Sequence, residues 1–261
     1  MPENLAAERA TPLTLLTFAP MIDSELCRFL LWRYAVPYVE ERHIFGWASV
    51  LSLFRAFTLQ VPALFGPGIS GLPGPKAVVD HFDKLAPAER RLMPEESALR
   101  RDVEADWKRF NTDLGTETAN VSYYYLLPHE DILLGPFAEG LPPGESRVLK
   151  PVYPALRWFL GICLGLSATR TKRSLDSIRK TFDAVDARLA GGAEFLVGGM
   201  LTLSDLAFAA SAAPFLLPQG YTTPMPPLSS MPAEMQALIT ETRARPLAAY
   251  VERIYAIRAT G

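Results

Sequence analysis

Gln60-Val61-Pro62-Ala63-Leu64-Phe65-Gly66-Pro67-Gly68-Ile69-Ser70-Gly71-Leu72 is the stretch that says most about the fold of this chain. Two apolar runs flank a glycine-proline-glycine turn, and this pattern predicts a β-hairpin. Lys76 to Leu85 follows as a predicted helix. The stretch therefore predicts two antiparallel strands and a helix in direct succession.

The sequence before the hairpin carries two further strand signals. Leu13 to Phe18 is rich in Leu and Thr, and Tyr38 to Ile44 follows a proline that disfavours helix in the residue before it. Between these strands we expect a helix with Asp23 or Ser24 as its N-cap. Trp47 to Phe57 is predicted to be helical or irregular.

The chain is predicted to form two domains. The order of strands and helices described so far predicts an α/β domain over residues 11–86. Beyond it, apolar residues recur at helical spacing from Leu99 to Leu114 and from Leu175 to Leu189. Residues 87–261 are therefore predicted to form an all-α domain.

Prolines give two further predictions in the second domain. Pro128 to Pro154 is rich in Pro and Gly, so we expect a long loop that could cover a cleft. Pro246 is placed to open the final helix, because the first turn of a helix tolerates proline.

Composition excludes several classes of protein. The 261 residues are 49% hydrophobic and 21% charged, as in a globular chain. The net charge is -2 without a Lys/Arg block, so no nucleic-acid partner is expected. The longest apolar stretches, Trp158 to Leu166 and Leu206 to Leu217, are shorter than the roughly 18 residues of a transmembrane segment. Met1 to Arg9 lacks the apolar run of a secretory signal, so we expect a cytoplasmic protein.

The potential metal ligands are scattered. Cys27 and Cys163 lie far apart, without a CxxC motif. His43, His81 and His129 show no ligand spacing. The sequence therefore predicts neither a disulfide framework nor a metal site. Cys27 is predicted to be a small buried residue.

A second motif lies in the helical domain, in Phe195-Leu196-Val197-Gly198-Gly199-Met200-Leu201-Thr202-Leu203-Ser204-Asp205-Leu206-Ala207. Thr202 can accept a hydrogen bond from the Asp205 N–H, and the Asp205 carboxylate can accept one from the Thr202 N–H. This reciprocal arrangement is a capping box, worth about 1 kcal/mol. Asp205 is therefore predicted to be structural.

The two motifs, in this order, resemble those of the glutathione S-transferases. The resemblance implies a thioredoxin-like α/β domain followed by an all-α domain, with a cis-proline opening the third strand. It also implies that glutathione binds along Gln60, Val61 and Pro62 as the cosubstrate, and that a small apolar electrophile binds between the domains. A homodimer is a further implication.

The chain departs from this family where the γ-glutamyl carboxylate would bind. The family uses an acidic-Ser pair, and the corresponding residues are Gly74 and Pro75. Proline has neither a hydroxyl nor an N–H, so both usual donors are lost. Lys76 is a candidate substitute donor, although the usual interpretation of such a residue is a solvated surface lysine. A register shift in this segment would instead make Ser70 the donor.

A second departure concerns activation of the glutathione thiol. The family's tyrosine position falls at Thr17 or Phe18, and its serine or cysteine position at Met21, with Ile22 beside it. The nearest hydroxyls are those of Thr17 and Ser24, the two candidate catalytic residues, although Ser24 also suits a helix cap. Free N–H groups of the first helix could stabilise a thiolate as well.

Aromatic residues in the predicted helical domain are candidates for the electrophile site. Trp107, Phe110 and Tyr124, the last from the run Tyr123 to Tyr125, could line an apolar cleft. The alternative is that these rings belong to the core.

Three functions stay open at this point. The preferred hypothesis is a glutathione transferase, because Gln60, Val61 and Pro62 are retained. Pro75 and Met21 favour a non-catalytic module that binds an apolar ligand or a partner protein. A transferase with a different thiol donor or binding pose would also account for Pro75.

Overall fold

The N-terminal part of the molecule is built on a four-stranded mixed sheet. The computed structural model describes residues 12–260, so the predicted domain start at residue 11 and the stretch Met1 to Arg9 lie outside the described residues. The elements in order are β1 Leu13–Thr17, α1 Ile22–Arg33, β2 Tyr38–Arg42, α2 Trp47–Ala56, β3 Ala63–Gly66, β4 Ile69–Pro73 and α3 Gly74–Phe82.

The strand order is β2-β1-β3-β4. β1 pairs in parallel with β2 and antiparallel with β3, and β3 and β4 form the predicted antiparallel hairpin. Leu15 and Leu16 are neighbours on the inner strand β1, and both are fully buried. Successive side chains of a strand point to opposite faces of the sheet, so Leu15 and Leu16 face opposite sides. Because both are buried, both faces of the sheet are covered by helices.

α-Helices and a π-helical segment make up most of the described residues after α3. They are α4 Ser97–Trp107, a π-helical segment Lys108–Leu114, α5 Gly115–Leu126, α6 Glu130–Ala138, α7 Pro143–Cys163, α8 Ala168–Leu189, α9 Leu203–Ala212, α10 Ala233–Arg243 and α11 Pro246–Thr260. This arrangement confirms an α/β thioredoxin-like part followed by an all-α part. The start of the last helix at Pro246 is also confirmed, whereas the boundary between residues 86 and 87 stays a prediction.

The prediction of a long loop from Pro128 to Pro154 is wrong, because this region forms α6 and the first half of α7. α7 accommodates proline at its first turn and at two interior positions. Its buried residues are spaced by four, three and four positions, at Leu149, Tyr153, Leu156 and Leu160. This helical packing stripe outweighs the local preference of the prolines.

The capping box at the start of α9 is confirmed. The Asp205 carboxylate accepts hydrogen bonds from the Thr202 N–H at 2.6 Å and from the Thr202 hydroxyl at 2.9 Å. Its other oxygen accepts from the Leu196 N–H at 2.8 Å and from the hydroxyl of Tyr250. Asp205 is fully buried. Through these hydrogen bonds it joins α9, α11 and the preceding loop.

Among residues 12–260, no single helix has the length and apolar character needed to cross a membrane. The pair α7 and α8 meets that criterion only jointly, with a bend of 62° between the two helices.

Candidate functional site

An apolar cavity of about 270 Å³ lies between the sheet domain and the helices. From the N-terminal domain it is lined by Phe18, Pro20, Met21, Ile22, Asp23 and Phe45. From the helical domain its lining includes Asn111, Gly115, Ser122, Tyr123, Phe137, Leu160, Cys163, Tyr221 and Met231. The composition of these walls suits a small, mainly apolar molecule.

The N-terminus of α1 forms one wall of this cavity. The helix begins at Ile22 with Met21 as its N-cap, so the prediction that Asp23 or Ser24 caps it is wrong. The Met21 N–H donates to the Phe18 carbonyl at 3.2 Å, and this turn starts the helix before either residue. Met21 and Ile22 both line the cavity, where the first-turn N–H groups provide a positive end of the helix dipole.

The two predicted catalytic hydroxyls lie behind this wall. Thr17 is fully buried and donates to Glu40 Oε1 at 2.7 Å. Ser24 is fully buried and donates to the Phe18 carbonyl at 2.9 Å. Neither residue lines the cavity. Each hydroxyl proton would have to leave a partner within the protein before it could serve a ligand.

A carboxylate-amide pair joins the two domains at the cavity. Asp23 lies in the first turn of α1, and Asn111 lies in the π-helical segment. The Asn111 side-chain amide donates to Asp23 Oδ1 at 2.8 Å, and both residues line the cavity. Burial raises the pKa of the Asp23 carboxyl, and the hydrogen bond from Asn111 lowers it by less.

Other polar groups on the cavity wall are poorly satisfied or only weakly polar. Ser122 is 9% exposed, and its hydroxyl has no hydrogen-bond partner among the described residues. Burial raises the pKa of the Tyr123 hydroxyl. The Cys163 thiol is free and exposed, whereas Cys27 is buried, as predicted, and burial raises its thiol pKa.

The start of β3 holds the residues predicted to bind glutathione. The Val61–Pro62 peptide is cis, and Val61 is buried. In the described part of the chain, neither the N–H nor the carbonyl of Val61 has a hydrogen-bond partner. The β1–β3 register pairs Leu16 with Ala63, so its continuation brings Val61 beside Phe18 at the cavity wall. The backbone carbonyl of Gln60 accepts a hydrogen bond from the Ser52 hydroxyl. The side-chain amide of Gln60 lies near the start of α3.

The start of α3 keeps the departures seen in the sequence. Gly74 and Pro75 form its first turn, and the Gly74 N–H donates to the Pro62 carbonyl at 2.8 Å. Gly74 has φ of +71°, and a Cβ there would lie 2.6 Å from the Gln60 amide nitrogen. Lys76 is half exposed and pairs with Asp80, one turn along the same helix. Ser70 lies on β4 and is exposed.

The three aromatic residues predicted to bind the electrophile do not line this cavity. Phe110 is fully buried and packs edge-on against Phe208, with ring centroids 5.2 Å apart. Trp107 lines a separate pocket beside α3, and Tyr124 packs against Tyr125. Successive helical residues point about 100° apart, so Tyr123 faces the cavity and Tyr124 does not.

Sequence reasoning missed Asp23 and Asn111 as a pair. Asn111 is close in sequence to the charged residues Lys108, Arg109 and Asp113, and 88 positions separate Asn111 from Asp23 in the chain. The π-helical segment changes the direction in which Asn111 points relative to a regular α-helix, and the helix propensities of the residues do not predict such a segment. Tyr123, by contrast, belonged to an aromatic run that was already visible. Within residues 12–260, no group of three or more His, Cys, Asp or Glu side chains is placed to hold a metal ion.

Part of the helical domain matches a known protein family. Residues 168–253 match the family model described as the glutathione S-transferase C-terminal domain. This match runs from the first residue of α8 into α11. Among curated proteins, no sequence matched the chain.

Solved structures share the fold along nearly the whole chain. A glutathione S-transferase from Sinorhizobium meliloti is 16% identical, with a TM-score of 0.53, and the match covers 92% of this chain and 91% of that one. A Pseudomonas putida glutathione transferase with bound glutathione disulfide is 13% identical, with a TM-score of 0.54 and coverage of 96% and 88%. A β-etherase from Sphingobium sp. is 14% identical, with a TM-score of 0.56 and coverage of 92% and 98%.

Proposed function

The chain belongs to the glutathione S-transferase superfamily by its fold and its C-terminal domain, and from this premise we propose that it binds glutathione and transfers its thiol to a small apolar electrophile. The observation that carries the proposal is the apolar cavity between the domains, with the N-terminus of α1 as one wall. The electrophile would occupy this cavity, and the thiol would lie at Met21 and Ile22.

Backbone geometry supports the binding mode of glutathione. The unpartnered N–H and carbonyl of Val61 can form a two-bond ladder with the cysteinyl residue of the ligand. The register that places Val61 beside Phe18 would then direct the cysteinyl side chain toward the cavity. The free N–H groups of α1 would stabilise a thiolate there.

The start of α3 favours an alternative, a non-catalytic module that binds an apolar ligand or a partner protein. Pro75 removes two donors for the γ-glutamyl carboxylate, and each such charge-assisted bond is worth about 1.5–3 kcal/mol. Lys76 is paired with Asp80, so its recruitment would break an existing ion pair. The Gln60 side-chain amide is a neutral donor beside Gly74, and in the proposed transferase it partly replaces the lost donors.

Calorimetric titration with reduced glutathione, beside S-hexyl-glutathione, tests the proposal. Binding of both ligands is expected, with S-hexyl-glutathione the tighter because its chain enters the cavity. No heat from either ligand, with a folded protein, would refute the transferase and support the non-catalytic module. Heat from S-hexyl-glutathione alone would favour the apolar site over the glutathione site.

Two variants sharpen this test. Pro75→Ser restores a hydroxyl and an N–H at the first turn of α3, so glutathione should bind more tightly. Gly74 should stay unchanged, because its positive φ and the nearby Gln60 amide disfavour any side chain. Gln60→Ala should weaken glutathione and leave binding of an apolar dye in the cavity unchanged.

Catalysis is tested by following the loss of free glutathione in the presence of a neutral aryl halide. Turnover above the uncatalysed rate is expected from the transferase. Ser24→Ala, which removes a hydroxyl bonded to the Phe18 carbonyl, tests the residue proposed first from the sequence. A folded variant with unchanged turnover would exclude Ser24 as the thiol-activating group.

We also propose a homodimer in the cytoplasm, as the resemblance implies. Phe54, Phe57 and Leu59, on α2 and the segment after it, are 74%, 80% and 61% exposed. Large exposed apolar groups in one region favour burial against another surface, here a second copy of the chain. Analytical ultracentrifugation should give the mass of a dimer, and Phe54→Ser with Phe57→Ser should give a monomer.

A further inference from the structure

We propose that Asp23, positioned by Asn111, accepts the proton of the glutathione thiol. The proposal rests on the proposed function, because it assigns the base for the thiol at the cavity wall. The family that the chain resembles uses tyrosine, serine or cysteine in this place, and none of these residue types lines the α1 side of the cavity.

Geometry singles out Asp23. It is the one carboxyl group among the residues described as lining the cavity, and it follows Met21 and Ile22 directly. Asn111 donates to Oδ1 at 2.8 Å, whereas Oδ2 has no hydrogen-bond partner in the described part of the chain. The amide therefore fixes the carboxyl group and leaves one oxygen free.

A second feature of the cavity points independently to a ligand with polar atoms. The Ser122 hydroxyl is buried, lines the same cavity and has no partner within residues 12–260. Buried hydroxyls are rarely left unpaired, because desolvation without a hydrogen bond costs free energy. A bound molecule that offers a polar group would satisfy it.

The charges around Asp23 allow the proton transfer. The cavity lining contains no Lys, Arg or His among the described residues, so no cation holds the carboxylate ionised. Burial raises the pKa of Asp23, which brings it closer to that of a thiol, ordinarily about 8.5. The other titratable groups facing this region are Cys27 on α1, Tyr123 on α5, Cys163 at the end of α7, and Tyr221.

The step conserves charge at the site. The S–H bond of glutathione breaks, an O–H bond forms at Oδ2, and the single negative charge moves from the carboxylate to the sulfur. The thiolate lone pair then forms the carbon–sulfur bond, and the leaving group departs with its own electron pair. The proton on Asp23 passes to the leaving group or to water, which restores the carboxylate.

Ultraviolet absorbance of the thiolate in the saturated glutathione complex tests this role at neutral pH. Asp23→Asn keeps an oxygen for the Asn111 amide and removes only the proton acceptor. We expect at least a tenfold lower thiolate fraction in this variant, and partial recovery in Asp23→Glu. Asn111→Ala should give an intermediate loss, because it frees the carboxyl group to rotate.

A structural role for Asp23 predicts the opposite sign. An ionised carboxylate beside the sulfur would repel a thiolate, so its removal would leave the thiolate fraction unchanged or raise it. Either result, in a variant that binds glutathione normally, would overturn the proposal. Asp113→Asn, an exposed position on the same π-helical segment, is the matched control and should change nothing.

Calorimetry separates this inference from the proposed function. If the unmodified protein binds no glutathione, both fail. If it binds glutathione and the bound thiol titrates near the ordinary value, the proposed binding stands and the role of Asp23 is refuted.

Discussion

Replacing Arg28 with methionine should destabilise the fold by about 3–5 kcal/mol, because it leaves carboxylates buried without their cation. Arg28 is 2% exposed and lies between two acidic residues. Its guanidinium contacts Glu40 Oε1 at 2.6 Å and Glu25 Oε2 at 3.0 Å. It also donates to the Ala19 carbonyl at 3.3 Å, in the segment that leads to the cavity wall.

The neighbouring cations decide where in this range the effect falls. Glu25 keeps Arg258 of α11 at 2.9 Å, so one carboxylate retains a partner. Among residues 12–260, the partners that Glu40 keeps are Arg42 at 3.2 Å and the Thr17 hydroxyl. We therefore expect the lower half of the range, about 3–4 kcal/mol. At about 2–4 °C per kcal/mol for a chain of this size, Tm should fall by roughly 6–16 °C.

Urea unfolding of the variant beside Lys76→Met provides the measurement. Lys76 and Asp80 form an exposed pair, so that control should change stability by less than about 1 kcal/mol. Arg28→Met combined with Glu40→Leu should recover part of the loss, because it removes the unpaired carboxylate. A single variant within about 1 kcal/mol of the parent protein would refute this account of the buried network.

The pH dependence gives a second check with a defined sign. Burial raises the pKa of Glu40, but hydrogen bonds from Arg28, Thr17 and Arg42 outweigh it and leave the pKa below its ordinary value of 4.5. A lowered folded pKa contributes stability above the unfolded pKa, and this stability is lost as pH falls through the folded value. The destabilisation by Arg28→Met should therefore shrink when unfolding is measured below that pH.

Three further predictions concern stability and reactivity. Asp205→Ala leaves the capping-box donors and the Tyr250 hydroxyl without an acceptor, so urea unfolding should show a loss of at least about 3 kcal/mol. Gly71→Ala places a Cβ 2.2 Å from a carbonyl oxygen of α2 and should cost about 1–3 kcal/mol, whereas Gly161→Ala, with open space in α7, should stabilise by about 0.5–1 kcal/mol. Iodoacetamide should modify the exposed Cys163 in the native protein and reach Cys27 only after unfolding, so intact mass should show one adduct before unfolding and two after it.

Sequence patterns predicted the elements whose causes are local. The hairpin follows from its glycine-proline-glycine turn, and the capping box follows from Thr202 and Asp205 at the required spacing. α7 was missed because its prolines were weighed above the spacing of Leu149, Tyr153 and Leu160. Proline costs a helix one hydrogen bond and local strain, and burial of a full apolar stripe exceeds that cost.

The candidate site was only half predictable for a related reason. Met21 and Ile22 were assigned to the site by counting along the chain, and both line the cavity. Asp23 and Asn111 meet only because the domains dock and because a π-helical segment turns Asn111 toward α1. π-helical insertions in α-helices are frequent at functional sites, but they arise from tertiary packing, and local propensity does not reveal them.

The charge of this cavity has a consequence for the electrophiles that the proposed transferase could accept. Its described lining offers one carboxyl group and no Lys, Arg or His. If the thiolate forms there by proton transfer to Asp23, the site carries one negative charge throughout, and the described lining offers neutral N–H and hydroxyl groups but no cation to stabilise it. An anionic electrophile would add a second buried negative charge without a partner, which is strongly unfavourable. A neutral electrophile adds none and gains from apolar burial, so the proposed transferase should prefer neutral apolar electrophiles.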